Sequence, residues 1–388
     1  MNPDVRRALA AVFVARTAIT GGLRVVYPFL PAIARGLGIP LSTLGNLIAL
    51  RNLGGVAAPL AARIAENMGR RSLMTASTVI AGTGCLLTAL APSLALAGVG
   101  LVMVGVSKPA FDVPMQSWLG DRVPYEERGR VFGISEFSWS LALLVTVPVS
   151  GFLITATDWR APFFLVAGFC VAGVVAILIG IDSDRPARRI KRSLEITQAH
   201  IAMLSCAFLF SVAAEILFLV YGRWLEDAFG LSIGAIGVFT LVVVASETAG
   251  EGIVTTIADR VGLKRMIMGG LVGSAVAYAS LGFVGGSLAG AVVAVIAWFI
   301  TFEITIVAAI PFTSELAVAG RDRLLSLMSV VVVGGRAAGA AGAGPLYDLG
   351  AMRASGIAAS ILVLMAAVVL TRVPDPGERP EPADPGMH

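Results

Sequence analysis

The sequence predicts an all-α membrane protein with twelve transmembrane helices, arranged as two pseudo-symmetric six-helix bundles. Of the 388 residues, 57% are hydrophobic and only 14% are charged, and the mean hydropathy is +0.86. Soluble domains carry roughly 25% charged residues. The apolar runs are about 20 residues long, enough to cross about 30 Å of hydrocarbon as a helix. Because these runs are continuous rather than alternating, they favour helices over the strands of a barrel.

A short charged loop occurs twice and indicates the two halves. The first copy, residues 62–71, reads ARIAENMGRR, and the second copy, residues 255–265, reads TTIADRVGLKR. Gly69 and Gly262 are separated by about half of the chain. Each copy follows one apolar run and precedes another. A repeated order of acid, glycine and base between apolar segments predicts two homologous halves within a membrane.

The predicted helices follow the apolar runs, and charged residues, glycine or proline separate one run from the next. In chain order they are 8–33, 42–65, 72–91, 94–119, 131–154, 161–181, 199–223, 234–258, 265–283, 287–312, 324–347 and 353–372. The first run follows two arginines as a secretory signal would, but Arg16 and Arg24 interrupt its apolar core, so we interpret it as a transmembrane helix.

The helices divide the chain into four parts. Residues 1–181 form the first bundle, 182–198 a polar linker rich in arginine, and 199–372 the second bundle. The tail, 373–388, is rich in proline and glutamate and is predicted to be disordered. Basic residues concentrate in one set of alternating loops and termini, whereas the opposite set holds only Arg35, Arg160, Arg223 and Arg353. This asymmetry predicts an inner-membrane protein whose termini and linker are cytoplasmic.

Ionisable residues also occur inside the predicted helices, where a lone charge costs about 2.5–3.5 kcal/mol on insertion scales. In the first half they are mostly basic: Arg16, Arg24, Arg51 and Lys108, with Asp112 and Glu136 as exceptions. In the second half they are mostly acidic: Glu215, Glu247, Glu251 and Glu303, with Arg336 as the exception. The repeat places Arg24 level with Glu215, and Lys108 level with Glu303. Asp112 lies one turn from Lys108 and is expected to neutralise it.

The duplicated loop resembles the cytoplasmic loop between helices 2 and 3 of the major facilitator superfamily, Gly-x-x-x-Asp-Arg-x-Gly-Arg-Arg/Lys. Gly69, Arg70 and Arg71 match that motif, whereas Ala62, Glu66 and Asn67 depart from it. The second copy keeps Asp259, Arg260, Gly262 and Lys264. Glu126-Glu127-Arg128-Gly129 and Asp158-Trp159-Arg160-Ala161-Pro162-Phe163 resemble two further loops of the family. Leu101 stands where many drug–proton exchangers of the family have an arginine.

The resemblance implies a transporter whose helices 1, 4, 7 and 10 line a central cavity. A basic wall would then face an acidic wall. We expect acids of the second half to couple transport to protons, with Glu215 and Glu303 as the first candidates and Glu247 and Glu251 as the next. Glu247 and Glu251 are one turn apart, and two like charges that close rarely both ionise in a low dielectric. We expect the substrate cavity to include Arg24, Arg51, Lys108, Asp112, Trp298, Phe302 and Arg336. The alternative is that the charges form structural ion pairs, and that Trp298 and Phe302 only pack.

The repeated loop is expected to act as a cytoplasmic gate in which an acid pairs with bases across the loop. Its residues are Glu66, Gly69, Arg70, Arg71, Asp259, Arg260, Gly262 and Lys264. The alternative is that these bases serve only to fix the orientation of the chain.

The leading functional hypothesis is efflux of a small organic or amphipathic solute by proton antiport and alternating access. The alternatives are proton- or ion-coupled uptake of a small anion, and a lipid flippase or membrane sensor on the same scaffold. The partners expected are the solute, protons and the bilayer. We predict a monomer that is not an enzyme, has no cofactor or metal, and binds no nucleic acid.

Overall fold

The computed structural model describes residues 3–123, 131, 138–182, 195–284, 286–317 and 321–375. Every regular element within them is helical, as predicted. The helices are α1 (Pro3–Arg24), α2 (Leu30–Leu37), α3 (Leu41–Leu53), α4 (Ala58–Met68), α5 (Arg70–Leu90), α6 (Leu94–Arg122), α7 (Ser138–Ala156), α8 (Ala161–Gly180), α9 (Gln198–Phe229), α10 (Ile233–Val261), α11 (Leu263–Leu281), α12 (Leu288–Leu316) and α13 (Arg321–Leu370). The linker residues 183–194 and the tail beyond 375 lie outside the described residues.

Eight helices in the described residues are long and apolar enough to cross a membrane, or nine if α2 and the segment Leu41–Ala57 form one span bent by 110°. The count of twelve therefore stays a prediction. One reason for the lower count is α13, whose apolar part, Arg323–Leu370, has 48 residues. That length corresponds to about 72 Å of helix, more than twice the hydrocarbon thickness. The backbone leaves helical geometry at Gly350 and Ala351, which separates two predicted segments.

The two copies of the charged loop adopt the same backbone conformation. Gly69, between α4 and α5, has φ 88° and ψ 150°, and Gly262, between α10 and α11, has φ 89° and ψ 139°. A positive φ of this size favours glycine, because a side chain would be strained there. Both copies thus form a one-residue turn between helices, which explains why the glycine is present in each although the neighbouring residues differ.

A break in the first predicted span positions part of the functional site. Helix α1 ends at Arg24, and the chain turns through residues 25–29 before α2 begins at Leu30. Pro28 lies in this turn and Pro31 in the first turn of α2. Proline lacks a backbone N–H, so it suits the start of a helix but not a continuous one. The turn directs Tyr27 towards the second half of the chain, where it is 4% exposed.

The two halves of the chain pack closely through glycines, chiefly where α3 meets α13 and α7 meets α10. A methyl group at Gly45 would lie 2.9 Å from the carbonyl oxygen of Ala340, and one at Gly344 would lie 2.7 Å from Ser42 Cα. On α7, a methyl group at Gly151 would lie 3.2 Å from Gly237 Cα. Small residues at these positions allow the helices to approach closely, as is usual in membranes.

Candidate functional site

The polar centre of the molecule is a network that joins the two halves, which we call the Tyr27 cluster; its members are Tyr27, Arg51, Asn52, Glu215 and Arg336. The Tyr27 hydroxyl donates to Glu215 Oε1 at 2.7 Å and accepts bonds of 2.8 Å from Arg51 Nη2 and Arg336 Nη2. Arg336 Nε donates to Glu215 Oε2 at 2.8 Å, and Asn52 Nδ2 donates to Oε1 at 2.8 Å. Glu215 is fully buried, so these bonds replace its hydration.

A second connection between the halves is an ion pair. Arg24 Nη2 donates to Glu247 Oε1 at 3.3 Å, and both side chains are buried. The Trp139 ring lies over the Arg24 guanidinium, with 4.1 Å between the guanidinium carbon and the ring centroid. The prediction that Arg24 faces Glu215 is therefore wrong. Because α1 ends at Arg24 and the chain then turns, Tyr27 rather than Arg24 reaches Glu215.

Two further basic residues of the first half, Arg16 and Lys108, form ion pairs with an acid of the same half, Asp112. Lys108 forms an ion pair with Asp112 one turn away, which confirms that prediction. Arg16 Nε also donates to Asp112 Oδ1, at 3.1 Å, and its Nη1 donates to Ser138 Oγ at 3.4 Å. Asp112 thus bridges α1 and α6. Lys108 additionally lies 5.8 Å from the centroid of the Trp139 ring, so this ring is shared by two cations.

Three of the predicted coupling acids, Glu247, Glu251 and Glu303, interact electrostatically with one another. Glu303 is 6% exposed and interacts electrostatically with Glu247, Glu251 and Arg24. It forms no hydrogen bond or ion pair in the described part of the chain, and therefore none with Lys108, which the repeat places level with it. Helices α10 and α12 touch at this point, since a methyl group at Gly250 would lie 2.6 Å from Glu303 Cβ. The fourth acid, Glu215, belongs to the separate Tyr27 cluster.

The two aromatic residues predicted to line the cavity, Trp298 and Phe302, differ in their exposure. Trp298 is fully buried and stacks on Phe299 with ring centroids 4.6 Å apart. It packs against residues of the second half, and its assignment to the substrate cavity stays a prediction. Phe302 is partly exposed and stacks on Phe210 with centroids 5.3 Å apart.

The repeated loop forms contacts within its own half. Arg70 forms an ion pair with Asp121 at the end of α6, and Arg71 Nη2 donates to the carbonyl oxygen of Leu178 at 2.6 Å. Arg260 is exposed and Lys264 is partly buried. The side chains of Glu66 and Asp259 lie outside the described residues, as do residues 124–130 with the Glu126–Gly129 motif. A gate that uses these acids stays a prediction.

At the opposite end of the molecule, the ion pair between Arg35 and Glu226 connects the halves again. We call this region the Arg35 end, and it comprises Arg35, Arg223, Glu226, Asp227 and Asp348. Arg35 Nη1 lies 2.8 Å from Glu226 Oε1 and joins α2 to α9. Arg223 binds Asp348 at 2.9 Å and Asp227 at 3.2 Å. The close contacts at Gly45 and Gly344 are made by the adjoining parts of α3 and α13. In this structure the halves are therefore closed together at the Arg35 end.

Several residues of the site were missed by sequence reasoning. Tyr27, Asn52 and Trp139 are uncharged, so a search for charges within apolar runs passes over them. The adjacent Pro28 marks an interruption of the first span and could have drawn attention to Tyr27. Arg35 and Arg223 were interpreted only as loop charges. Their acidic partners, Glu226 and Asp227, are adjacent in sequence at the end of one apolar run, which was the available signal.

We expect Arg35→Ala to open the Arg35 end more often. The pair is partly exposed, at 56% for Arg35 and 31% for Glu226, and exposed pairs contribute about 0.2–1 kcal/mol. Labelling of a Ser42→Cys probe by a hydrophilic maleimide should therefore accelerate by up to about fivefold.

The matched control is Arg160→Ala, which removes an exposed pair with Asp158 within one half and should leave the labelling rate unchanged. Equal rates in the Arg35→Ala and unmodified proteins would contradict a closing role for this pair.

Comparison with known proteins agrees with this architecture. The sequence profile described as Major Facilitator Superfamily matches residues 11–201. An uncharacterized MFS-type transporter of Bacillus subtilis (strain 168), YwfA, is 24% identical over 359 residues, covering 89% of this chain and 85% of the relative. The class C tetracycline resistance protein of Escherichia coli is 25% identical over 288 residues, covering 68% and 70% of the two chains.

A solved structure shows the same fold. The crystal structure of a POT family transporter in complex with 5-aminolevulinic acid aligns with a TM-score of 0.78 and 14% identity, covering 94% of this chain and 95% of that chain. At this identity the likeness concerns the fold alone. The profile match, the named relatives and the shared fold lead to one conclusion: this chain belongs to the major facilitator superfamily and is a multi-pass membrane transporter, not an enzyme.

Proposed function

We propose that this transporter exports a small organic or amphipathic solute in exchange for protons, and that its two halves alternate in opening to the two sides of the inner membrane. The observation that carries the proposal is Glu303. It is a buried acid without a hydrogen bond or ion pair in the described residues, and it lies close to Glu247, Glu251 and Arg24. The termini and the linker are proposed to be cytoplasmic.

The arrangement suits proton exchange for an electrostatic reason. Arg24 is already paired with Glu247, so an ionised Glu303 would add an unbalanced negative charge inside the membrane, which is costly. Protonation removes that charge. When the cavity opens to the other side, hydration stabilises the carboxylate and the proton can leave. We therefore expect Glu303 to be protonated in one conformation and to release its proton in the other.

Two further observations support the direction and the mode of transport. The class C tetracycline resistance protein of Escherichia coli is a relative, and a link to drug resistance favours export over uptake. The halves are closed together at the Arg35 end through Arg35–Glu226 and through the glycine contacts of α3 and α13. Alternating access requires such contacts to form in one state and separate in the other, while the site between them stays intact.

We expect Glu303→Gln to abolish proton-driven transport while sparing solute exchange. In proteoliposomes that are acidic inside, antiport should accumulate radiolabelled tetracycline in the lumen as protons leave. The glutamine variant should show at least a tenfold smaller pH-driven signal, after subtraction of protein-free liposomes. Counterflow against preloaded unlabelled tetracycline, without a gradient, should persist because binding and alternation do not require proton release.

The control is Glu315→Gln, an exposed acid on the same helix, which should behave as the unmodified protein. Unchanged pH-driven flux in both Glu303→Gln and Glu247→Gln would overturn the proton-coupling assignment. Accumulation driven only by an alkaline lumen would overturn antiport in favour of coupled uptake. Failure of the unmodified protein to transport tetracycline in either assay would exclude tetracycline as its solute.

A further inference from the structure

The Tyr27 cluster contains more positive than negative charge. It holds two guanidinium groups, Arg51 and Arg336, but only one carboxylate, Glu215. Arg336 binds that carboxylate directly, whereas Arg51 is connected to it only through the Tyr27 hydroxyl. The other acceptors of Arg51 are neutral: the Leu23 carbonyl oxygen at 3.0 Å and Asn52 Oδ1 at 3.2 Å. Within the described residues, Arg51 has no carboxylate at ion-pair distance, and Arg336 has only Glu215. The cluster therefore retains one unbalanced positive charge inside the membrane, where such a charge calls for an anionic partner.

One of the two arginines is accessible to that partner. Arg51 is 1% exposed, whereas the Arg336 side chain is 32% exposed. Arg336 uses Nε towards Glu215 and Nη2 towards Tyr27. Its remaining nitrogen, Nη1, forms no hydrogen bond to the described residues. A planar guanidinium edge of this kind is suited to the oxygens of a carboxylate.

The surroundings of the cluster are aromatic. Tyr27 contacts Phe218 with ring centroids 6.1 Å apart, and Phe218 contacts Phe302 edge to face at 5.2 Å. Phe302 is partly exposed and continues the aromatic surface to Phe210. A ligand whose charge meets Arg336 can place an apolar or aromatic body against this surface.

We propose that the transported solute is an amphipathic organic anion, and that its carboxylate binds Arg336 while its apolar body contacts Phe302. This inference rests on the proposed transport function and specifies its substrate class. The anion neutralises the excess charge of the Tyr27 cluster. The ligand carboxylate binds Nη1 of Arg336, because Glu215 and Tyr27 already occupy Nε and Nη2.

The test is a comparison of two probes of the same shape, 2-naphthoate and 2-naphthamide, titrated into the purified full-length protein at neutral pH. Calorimetry or ligand-dependent thermal stability reports the affinity of each. We expect naphthoate to bind at least tenfold more tightly than naphthamide. Arg336→Gln should remove most of that difference by weakening naphthoate only, and Arg336→Lys, which keeps the charge but not the fork, should be intermediate.

Arg353→Gln serves as the control, since Arg353 is an exposed arginine of the same helix that lies over the Phe283 ring. It should leave both affinities unchanged. The proposal is overturned if naphthoate has no advantage over naphthamide in the unmodified protein, or if Arg336→Gln weakens both probes equally. A poorly folded Arg336→Gln protein does not rescue the proposal, because the comparison in the unmodified protein already decides it.

The outcome is separable from that of the proton-coupling experiment. If flux depends on the pH gradient but naphthoate binds no more tightly than naphthamide, only the proposal of an anion site is contradicted. Conversely, the protein could prefer naphthoate through Arg336 while its flux does not depend on the pH gradient, with or without Glu303→Gln. That result contradicts only the proposal of proton coupling.

Discussion

Replacement of Glu215 by alanine is expected to lower the free energy of unfolding by about 3–5 kcal/mol and to abolish transport. Glu215 is fully buried and accepts hydrogen bonds from Tyr27, Asn52 and Arg336. Its removal leaves two guanidinium groups in the membrane without a carboxylate. Removing one partner of a buried charge network is costly for this reason, even where the network itself contributes little net stability.

The measurement is the unfolding of the detergent-solubilised protein, followed by helical circular dichroism, together with flux in proteoliposomes. Glu215→Gln keeps the shape and most hydrogen bonds, so it should lose less stability than Glu215→Ala. Glu226→Ala removes an acid of the same helix that is 31% exposed, and it should cost less than about 1 kcal/mol. A loss for Glu215→Ala no larger than that of Glu226→Ala would show that the Tyr27 cluster is not a structural centre.

The second large effect is expected at the Arg24–Glu247 pair. Arg24→Glu and Glu247→Arg should each abolish transport, because each places two like charges side by side in a buried site. The double exchange, Arg24→Glu with Glu247→Arg, should recover at least tenfold more flux than either single variant. Recovery should be partial, since the new arginine at position 247 loses the stacking on Trp139 that Arg24 has at 4.1 Å.

A matched exchange of Arg24 with Glu215 provides the control. The structure places Glu215 against Tyr27, Asn52 and Arg336 instead of Arg24, so this exchange should not restore transport. Rescue by the Arg24–Glu215 exchange, without rescue by the Arg24–Glu247 exchange, would contradict the pairing in the structure and favour the register that the sequence repeat suggests.

The local features of the chain were predictable because they depend on residues close in sequence. The spacing of Lys108 and Asp112 is one helical turn, and the ion pair forms as expected. The glycine of each charged loop occupies a backbone conformation that disfavours other residues. Continuous apolar runs likewise predict helices without knowledge of their neighbours.

The partners across the two halves were not predictable in the same way. Transferring positions by the repeat assumes that corresponding helices are unbroken and equally rotated. Helix α1 ends at Arg24, and the following turn moves Tyr27 into the place expected for that arginine. A change in chain direction of this kind alters every contact beyond it, while the sequence shows only a proline.

The sequence by itself determined a helical membrane protein with a repeated loop and with ionisable residues in its apolar segments, because composition and short-range periodicity suffice for these conclusions. Only the tertiary structure decided which charges meet: Glu215 with Arg336 and Tyr27, Glu247 with Arg24, and Glu303 without a partner in the described residues. The physical reason is that ion pairing depends on distances of a few ångströms between helices. The tilt, rotation and breaks of the helices set those distances, and the tight glycine contacts stabilise them.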